Sequence, residues 1–294
     1  MKAIVHIGIA KAGSSAIQYF IAKNRGRLKQ AGYYVPVYRP NRQYGFQAYA
    51  ITSIQNMGKR RLENQLGIHS QADLEVFQAE FKQKAQNDLA EASAGNSHML
   101  LSAEGFASRS LDEIERLRDL LAPSCSEFVI VVYLRRQDLR RASGFRLGIK
   151  NSGGTGDEVF YNEFNEKYDY HAICDRWAQI FGESHIRPRI FPDSALKFFD
   201  LIDDFAQLSG ITDTSVFDEL ERPGRRNQAW DWRAVEFNRL INNYLPAFED
   251  GKVPPERKRL EGVLKTCFPE CEQRMPARAD AIRFTKCIMI PMSV

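Results

Sequence analysis

The sequence predicts an α/β fold in which a central parallel sheet is flanked by helices. Short apolar segments rich in β-branched residues alternate along the chain with amphipathic helical patterns, the arrangement of repeated strand–helix–strand units. The strongest strand, Phe128 to Leu134 (FVIVVYL), is apolar without alternation, as a strand covered on both faces must be. The chain also opens with a strand, a glycine-containing turn and a helix, all within its first 32 residues.

Taken in order, the first strand is Ala3-Ile4-Val5-His6-Ile7-Gly8, and the turn after it is Ala10-Lys11-Ala12-Gly13-Ser14-Ser15. Ile17, Phe20, Ile21 and Leu28 then mark one amphipathic helix, closed by Gly32. A second helix carries Leu74, Phe77, Phe81 and Leu89 on one face. His98 to Ser102 (HMLLS) reads as a buried strand leading into Ala103-Glu104-Gly105. Ser110 and Glu113 have the spacing of a capping box for the helix holding Ile114, Leu117 and Leu121. After the Phe128–Leu134 strand comes a basic segment, Arg135 to Lys150, whose exposed face reads as solvated. Gly148 to Gly156 is rich in Gly, Ser and Asn and reads as a mobile loop. Tyr170, Ile173, Trp177 and Phe181 mark another helix, ended by Gly182. A strand near Ile186 to Phe191 and a helix from Ala195 to Leu208 follow. Beyond Asp218 the chain is polar, with helices expected around Trp230 to Tyr244 and Glu256 to Phe268.

Composition narrows the classes. Of 294 residues 44% are hydrophobic, and the balance of 41 Lys plus Arg against 37 Asp plus Glu leaves +4, which excludes intrinsic disorder. So mild a charge argues against a dedicated nucleic-acid partner, for which a domain pI above ~9 is usual. The expected organisation is a single α/β domain over residues 1–294, more helical from about residue 218. No internal repeat or low-complexity tract interrupts it. The five cysteines, Cys125, Cys174, Cys267, Cys271 and Cys287, are odd in number and lack zinc spacing, so they read as free thiols with no metal site. With no secretory leader pattern and no apolar run near the ~20 residues of a membrane span, the expected location is the cytoplasm.

The first turn carries the strongest chemical signal. A helix N-terminus presents unpaired N–H groups and about half a positive charge, and small residues let the backbone approach an anion there. Gly8 and Gly13 have the glycine spacing of a Mg-nucleotide phosphate loop, but Ser14 stands where that motif has lysine, and the lysine lies inside the loop at Lys11. The alternative is a plain strand-to-helix turn in which Ser14 or Ser15 caps the helix. A Mg-nucleotide site also wants an acidic residue at the end of an apolar strand. The Phe128–Leu134 strand ends in Arg135-Arg136, which can grip a phosphate but not help hold Mg²⁺. Ser143, eight residues after Arg135, offers a hydroxyl to the same anion. The pattern asks for a ligand with two separated anionic groups.

These residues resemble the sulfotransferases that use 3′-phosphoadenosine 5′-phosphosulfate. Lys11-Ala12-Gly13-Ser14-Ser15 matches the family's Lys-x-Gly-Thr/Ser-Thr/Ser loop for the 5′-phosphosulfate. Arg135 and Ser143 fall where the family has its Arg and Ser for the 3′-phosphate. His6-Ile7-Gly8, Gln18, Asn24-Arg25, Tyr34-Val35-Pro36 and Tyr133-Leu134-Arg135-Arg136-Gln137-Asp138 look like bacterial carbohydrate-type members, with Tyr168-Asp169-Tyr170 to Gly182 a weaker match. The resemblance covers most of residues 4 to 245. Ala10, Ala12 and the serine pair depart from the commonest loop, and Thr285 to Val294 does not resemble the family's polar tail.

The resemblance implies a phosphate-loop NTPase-like sulfotransferase architecture. It implies sulfuryl transfer from that donor to a hydroxyl or amine of a saccharide or other small acceptor, releasing adenosine 3′,5′-bisphosphate without a metal. Lys11 and the amides of Gly13, Ser14 and Ser15 would stabilise the developing charge. Family members take the acceptor proton with a His or a Glu. Glu104, after the strand ending in Ser102, is the candidate base, against the reading of a solvated carboxylate. His6 reads as a core histidine. Arg222 to Asn227 (RPGRRN) invites comparison with a late basic loop but is not assigned. The competing readings are a Mg-dependent phosphate-loop kinase and a nucleotide-binding relative without turnover.

Overall fold

A computed structural model describes residues 1–38, 46–56, 66–156, 165–192, 200–211, 230–247, 253–269 and 282. It falls into two units, Met1–Arg135 with Tyr170–Gly224, and Arg136–Asp169 with Arg225–Val294.

The first unit holds a five-stranded sheet in the order β2-β3-β1-β4-β5, every pairing parallel. Its strands are β1 (Lys2–Gly8), β2 (Tyr33–Tyr34), β3 (His98–Ser102), β4 (Glu127–Arg135) and β5 (Ile186–Phe191). The apolar runs that predicted β1, β3 and β4 are buried because helices cover both faces of the sheet. Alternation along β4 shows this directly. Phe128 meets Phe181 of α7 (Tyr170–Phe181) at 4.9 Å between ring centroids, while the Tyr133 hydroxyl, on the opposite face, donates to Asp204 of α8 (Leu201–Ser209) at 2.6 Å. Trp177 is fully buried, stacked on Phe181 and edge-on to Phe106, so Trp177→Ala would cost about 3–5 kcal/mol.

The single helix expected before Gly32 is two, α1 (Ser14–Lys23) and α2 (Arg25–Gln30), broken at Asn24. The Asn24 side chain donates to the Phe20 carbonyl at 2.8 Å, and this local competitor for the helical ladder ends α1. Ser70 caps α4 (Gln71–Ala94), and Ser110 with Glu113 forms the expected capping box of α5 (Leu111–Leu121), with bonds of 3.3 and 3.1 Å. Between Pro36 and Asn56, residues 46–52 are helical and include α3 (Tyr49–Thr52). The cause is burial. Tyr49 packs edge-on against Phe81, and its hydroxyl donates to Asp88 at 3.0 Å, an acceptor it shares with the Tyr34 hydroxyl and Lys84. Asp88 is only 3% exposed, and these partners offset the desolvation of its charge.

The second unit holds α6 (Gln137–Ser152), α9 (Trp232–Ile241) and α10 (Pro255–Cys267), and Arg257 ties α10 to α9 and the residues after it. Its guanidinium donates to the side-chain carbonyls of Asn238 at 2.6 Å and of Asn242, and to the main-chain carbonyls of Leu245 and Pro246. The mobile-loop reading of Gly148–Gly156 is corrected here, because α6 continues through Ser152. Asn238 and Asn242 donate to the Ile149 carbonyl, and the Gly154 amide bonds back to the Gly148 carbonyl at 3.2 Å. Those bonds satisfy carbonyls that a helix end would otherwise expose, and Gly153, at φ 70°, makes the exit. The basic segment is also more partnered than a solvated face would be. Arg140 is 9% exposed, lies over the Tyr168 ring and donates to the Lys167 carbonyl, and Lys150 pairs with Glu261.

The helix expected from Ala195 begins at Leu201 among the described residues. Arg222–Asn227, Thr285–Val294, Cys271 and Cys287 lie outside them. Among the described residues Cys125, Cys174 and Cys267 are free thiols, no cluster of His, Cys, Asp and Glu could hold a metal ion, and no helix is long and apolar enough to cross a membrane.

Candidate functional site

The site is built at the carboxyl edge of the sheet, where β1 lies between β3 and β4. In an open parallel sheet this is where the chain's connections part to opposite sides and leave a crevice. β1 ends in an irregularity, because His6 pairs with Val131 while Gly8 pairs with Val132, leaving Ile7 as an extra residue. The chain then turns tightly. The Ile9 amide donates to the Tyr133 carbonyl, the Ala12 amide donates back to the Ile9 carbonyl, and both bonds are 3.2 Å.

Two backbone positions in this turn require φ values that ordinary residues avoid. Gly13, at φ 84°, is the residue from which α1 starts, and the amides of Ala16 and Ile17 close on its carbonyl. The amides of Gly13, Ser14 and Ser15 therefore precede the first intrahelical bond, at the positive end of the helix dipole, and no acidic residue occupies that first turn. A Cβ at Gly13 would lie 2.4 Å from the Leu201 side chain and 2.9 Å from the Phe191 ring, so any other residue must displace them as well as adopt the strained φ. Lys11 sits at φ 71°, a left-handed conformation costing a non-glycine residue about 1–2 kcal/mol.

The alternative in which a serine merely caps α1 is not what forms, since neither serine side chain makes a cap bond. The Ser14 hydroxyl points inward, 2% exposed, and donates to the Ile9 carbonyl at 2.9 Å. Ser15 is exposed and Ala12 is buried. The serine thus stiffens the turn from inside while its amide stays at the helix start.

Arg135, the last residue of β4, reaches this turn. Its Nη1 donates to the Lys11 main-chain carbonyl at 3.0 Å, and its guanidinium lies 5.8 Å from the centroid of the Phe191 ring. The Tyr170 hydroxyl donates to the Arg135 carbonyl at 2.5 Å. The charge-assisted bond from Arg135 to the Lys11 carbonyl is worth about 1.5–3 kcal/mol, enough to offset the cost of the Lys11 conformation. The Arg135 side chain is thereby anchored at the turn that carries Lys11.

Glu104 joins them from the next strand. It is exposed and opens a short 3₁₀ turn, Glu104–Ser108, directly after β3. Its backbone is packed on Gly8, where an added Cβ would lie 3.2 Å from the Glu104 Cα. Behind it, His6 Nδ1 and the Ser102 hydroxyl are 2.7 Å apart, and the His6 carbonyl accepts from the Ala103 amide at 3.0 Å. His6 is sealed between the Tyr133 and Phe205 rings, and burial lowers its pKa to about 3. It is a neutral core histidine, as its strand position suggests. His98 and His185 likewise serve the fold, the first accepting from the Lys2 amide and the second bonded to the Phe128 carbonyl.

The fold therefore gathers Lys11, Ala12, Gly13, Ser14, Ser15, Arg135 and Glu104 at one edge of the first unit. Ser143 is half-buried on α6 of the second unit. Sequence reasoning missed Tyr170, Phe191 and Leu201 as partners of the turn. Tyr170 had a signal in the Tyr168-Asp169-Tyr170 match, whereas Phe191 and Leu201 carried none.

No protein-family model matches the chain. A stretch of 113 residues, 38% of this chain, is 34% identical to an uncharacterized protein of Archaeoglobus fulgidus, and the match spans 30% of that protein. Among solved structures, a sulfotransferase from Alicyclobacillus acidocaldarius aligns over 76% of this chain and 85% of its own, with 12% identity and a TM-score of 0.47. The sulfotransferase domain of the olefin synthase of Synechococcus PCC 7002 aligns over 97% and 94%, with 11% identity and a TM-score of 0.38.

Proposed function

We propose that this chain transfers a sulfuryl group from 3′-phosphoadenosine 5′-phosphosulfate to a hydroxyl or amine of a saccharide-type acceptor. The observation that carries the reading is the Arg135–Lys11 contact. At the strand end beside the anion turn, where a Mg-nucleotide enzyme needs a carboxylate, this chain sets an arginine bonded to the turn itself. The donor set suits the group, since three helix-start amides, a lysine and an arginine match an anionic ligand without a metal carboxylate.

When bound, the donor supplies an activated sulfuryl group linked to a 5′-phosphate leaving group. Lys11 and the amides of Gly13, Ser14 and Ser15 stabilise negative charge at the turn, preorganised so that little reorganisation is needed during transfer. Arg135 holds the 3′-phosphate, the role that the family resemblance assigns to it and to Ser143. Glu104 takes the acceptor proton, a role typically worth 10²–10⁴-fold in rate. The acceptor is fixed by loops around this edge, and a saccharide is the class the carbohydrate-type resemblance implies.

The test is thermal stabilisation by adenosine 3′,5′-bisphosphate against ADP and ATP, with and without Mg²⁺. A ligand at 100 times its Kd adds ~2.7 kcal/mol, several degrees for a chain of this size. Stabilisation by the bisphosphate that ignores Mg²⁺ is expected. A shift seen only with Mg-ATP would make the chain a kinase, and no shift with any nucleotide would overturn the nucleotide reading of the turn.

A further inference from the structure

We infer that Arg135 is a positioning residue for the anion turn, governing 5′-phosphate binding through the backbone of Lys11 in addition to any grip on a 3′-phosphate. The inference rests on the proposed nucleotide reading of the turn. One peptide plane carries it. The Lys11 carbonyl accepts from Arg135 Nη1 at 3.0 Å, and the amide of that same peptide, Ala12 N–H, donates to the Ile9 carbonyl at 3.2 Å. A peptide is rigid and planar, so holding its oxygen at one end and its N–H at the other sets its orientation. The flanking residue, Lys11, is at φ 71°, a conformation that needs such holding.

The orientation matters chemically. A carbonyl oxygen turned toward the anion would repel it, and Arg135 draws this one to itself. The arginine is itself braced. The Tyr170 hydroxyl holds its carbonyl, and its guanidinium rests near Phe191, whose ring also closes on Gly13. β4 thus grips the turn at two points, the Tyr133 carbonyl at Ile9 and the Arg135 side chain at Lys11.

A grip on the 3′-phosphate alone and a hold on the turn differ in what the arginine does for a ligand lacking a 3′-phosphate. Dissociation constants for adenosine 3′,5′-bisphosphate and adenosine 5′-monophosphate are measured by calorimetry on wild type, Arg135→Ala and Arg135→Met. Each is read at a temperature where circular dichroism shows the variant folded, so lower stability alone moves neither constant. Arg135→Met keeps the aliphatic stem near Phe191 if the alanine variant folds poorly. Both variants are expected to lose about tenfold or more in affinity for the monophosphate, the worth of one charge-assisted bond. Wild-type affinity for the monophosphate in the folded variants, with only the preference for the bisphosphate lost, overturns the inference and leaves the proposed function standing. Wild-type protein that binds neither nucleotide overturns the functional reading itself.

Discussion

Gly8 and Glu104 are in backbone contact. A Cβ at Gly8 would lie 3.2 Å from the Glu104 Cα and 3.4 Å from its carbonyl oxygen. The last residue of β1 and the first residue after Ala103 thus determine each other's position, and through them the turn after β1 and the candidate base share one anchor.

Gly8→Ala should therefore harm two things at once. At φ 114° an added Cβ costs about 1–3 kcal/mol in backbone strain, before the Glu104 turn is displaced. The urea midpoint should fall, and transfer rate should fall further than nucleotide affinity. A variant as stable and active as wild type would show that the contact gives way freely.

Lys11→Gly should separate stability from function. Glycine adopts φ 71° without the steric penalty, so the variant gains up to about 1 kcal/mol, as far as the greater freedom of its unfolded chain allows. It loses the ammonium group at the turn, and affinity for adenosine 3′,5′-bisphosphate should drop at least about tenfold. Thermal melts with and without ligand read both effects, and a melting point below wild type would refute the strain argument.

Glu104→Gln keeps the size of the side chain and removes its basicity. Nucleotide affinity should stay within about twofold of wild type while turnover falls about 10²–10⁴-fold. Undiminished turnover would assign the proton to another group.

His6 makes stability depend on pH. Its pKa is lowered by burial from 6.5 to about 3, so the unfolded chain binds a proton there that the folded chain refuses. Stability from this group is complete above pH 6.5 and is lost as pH falls toward 3, by at most about 1.4 kcal/mol per unit. Denaturant midpoints at pH 7.5, 5.5 and 4.5 (about one unit or more apart) should decline less steeply in His6→Asn than in wild type. Parallel declines would place the acid sensitivity elsewhere.

Much of the fold was legible because it is written in local patterns. The unalternating run of β4, the capping box of Ser110 and Glu113, and the aromatic spacing of Tyr170 to Phe181 each report a backbone preference within one element. The glycine spacing around Lys11 likewise marked the turn. The C-terminal part of α6 was misread because Gly148, Asn151 and Ser152 favour a loop locally, while the amides of Asn238 and Asn242 satisfy the Ile149 carbonyl from some 90 residues away.

The sequence by itself determined most of the element types, the parallel class of sheet and the glycine-containing turn after β1, because periodicity and φ preference act over a few neighbours. Only the tertiary structure decided what those residues touch. The strand order β2-β3-β1-β4-β5 sets β1 beside both β3 and β4, which brings Glu104 onto Gly8 and Arg135 onto Lys11. It also decided that Leu201 and Phe191 close over Gly13. Such contacts join residues from about 100 to nearly 190 positions apart, and their energy comes from shape and hydrogen-bond geometry that exist only once the sheet has assembled.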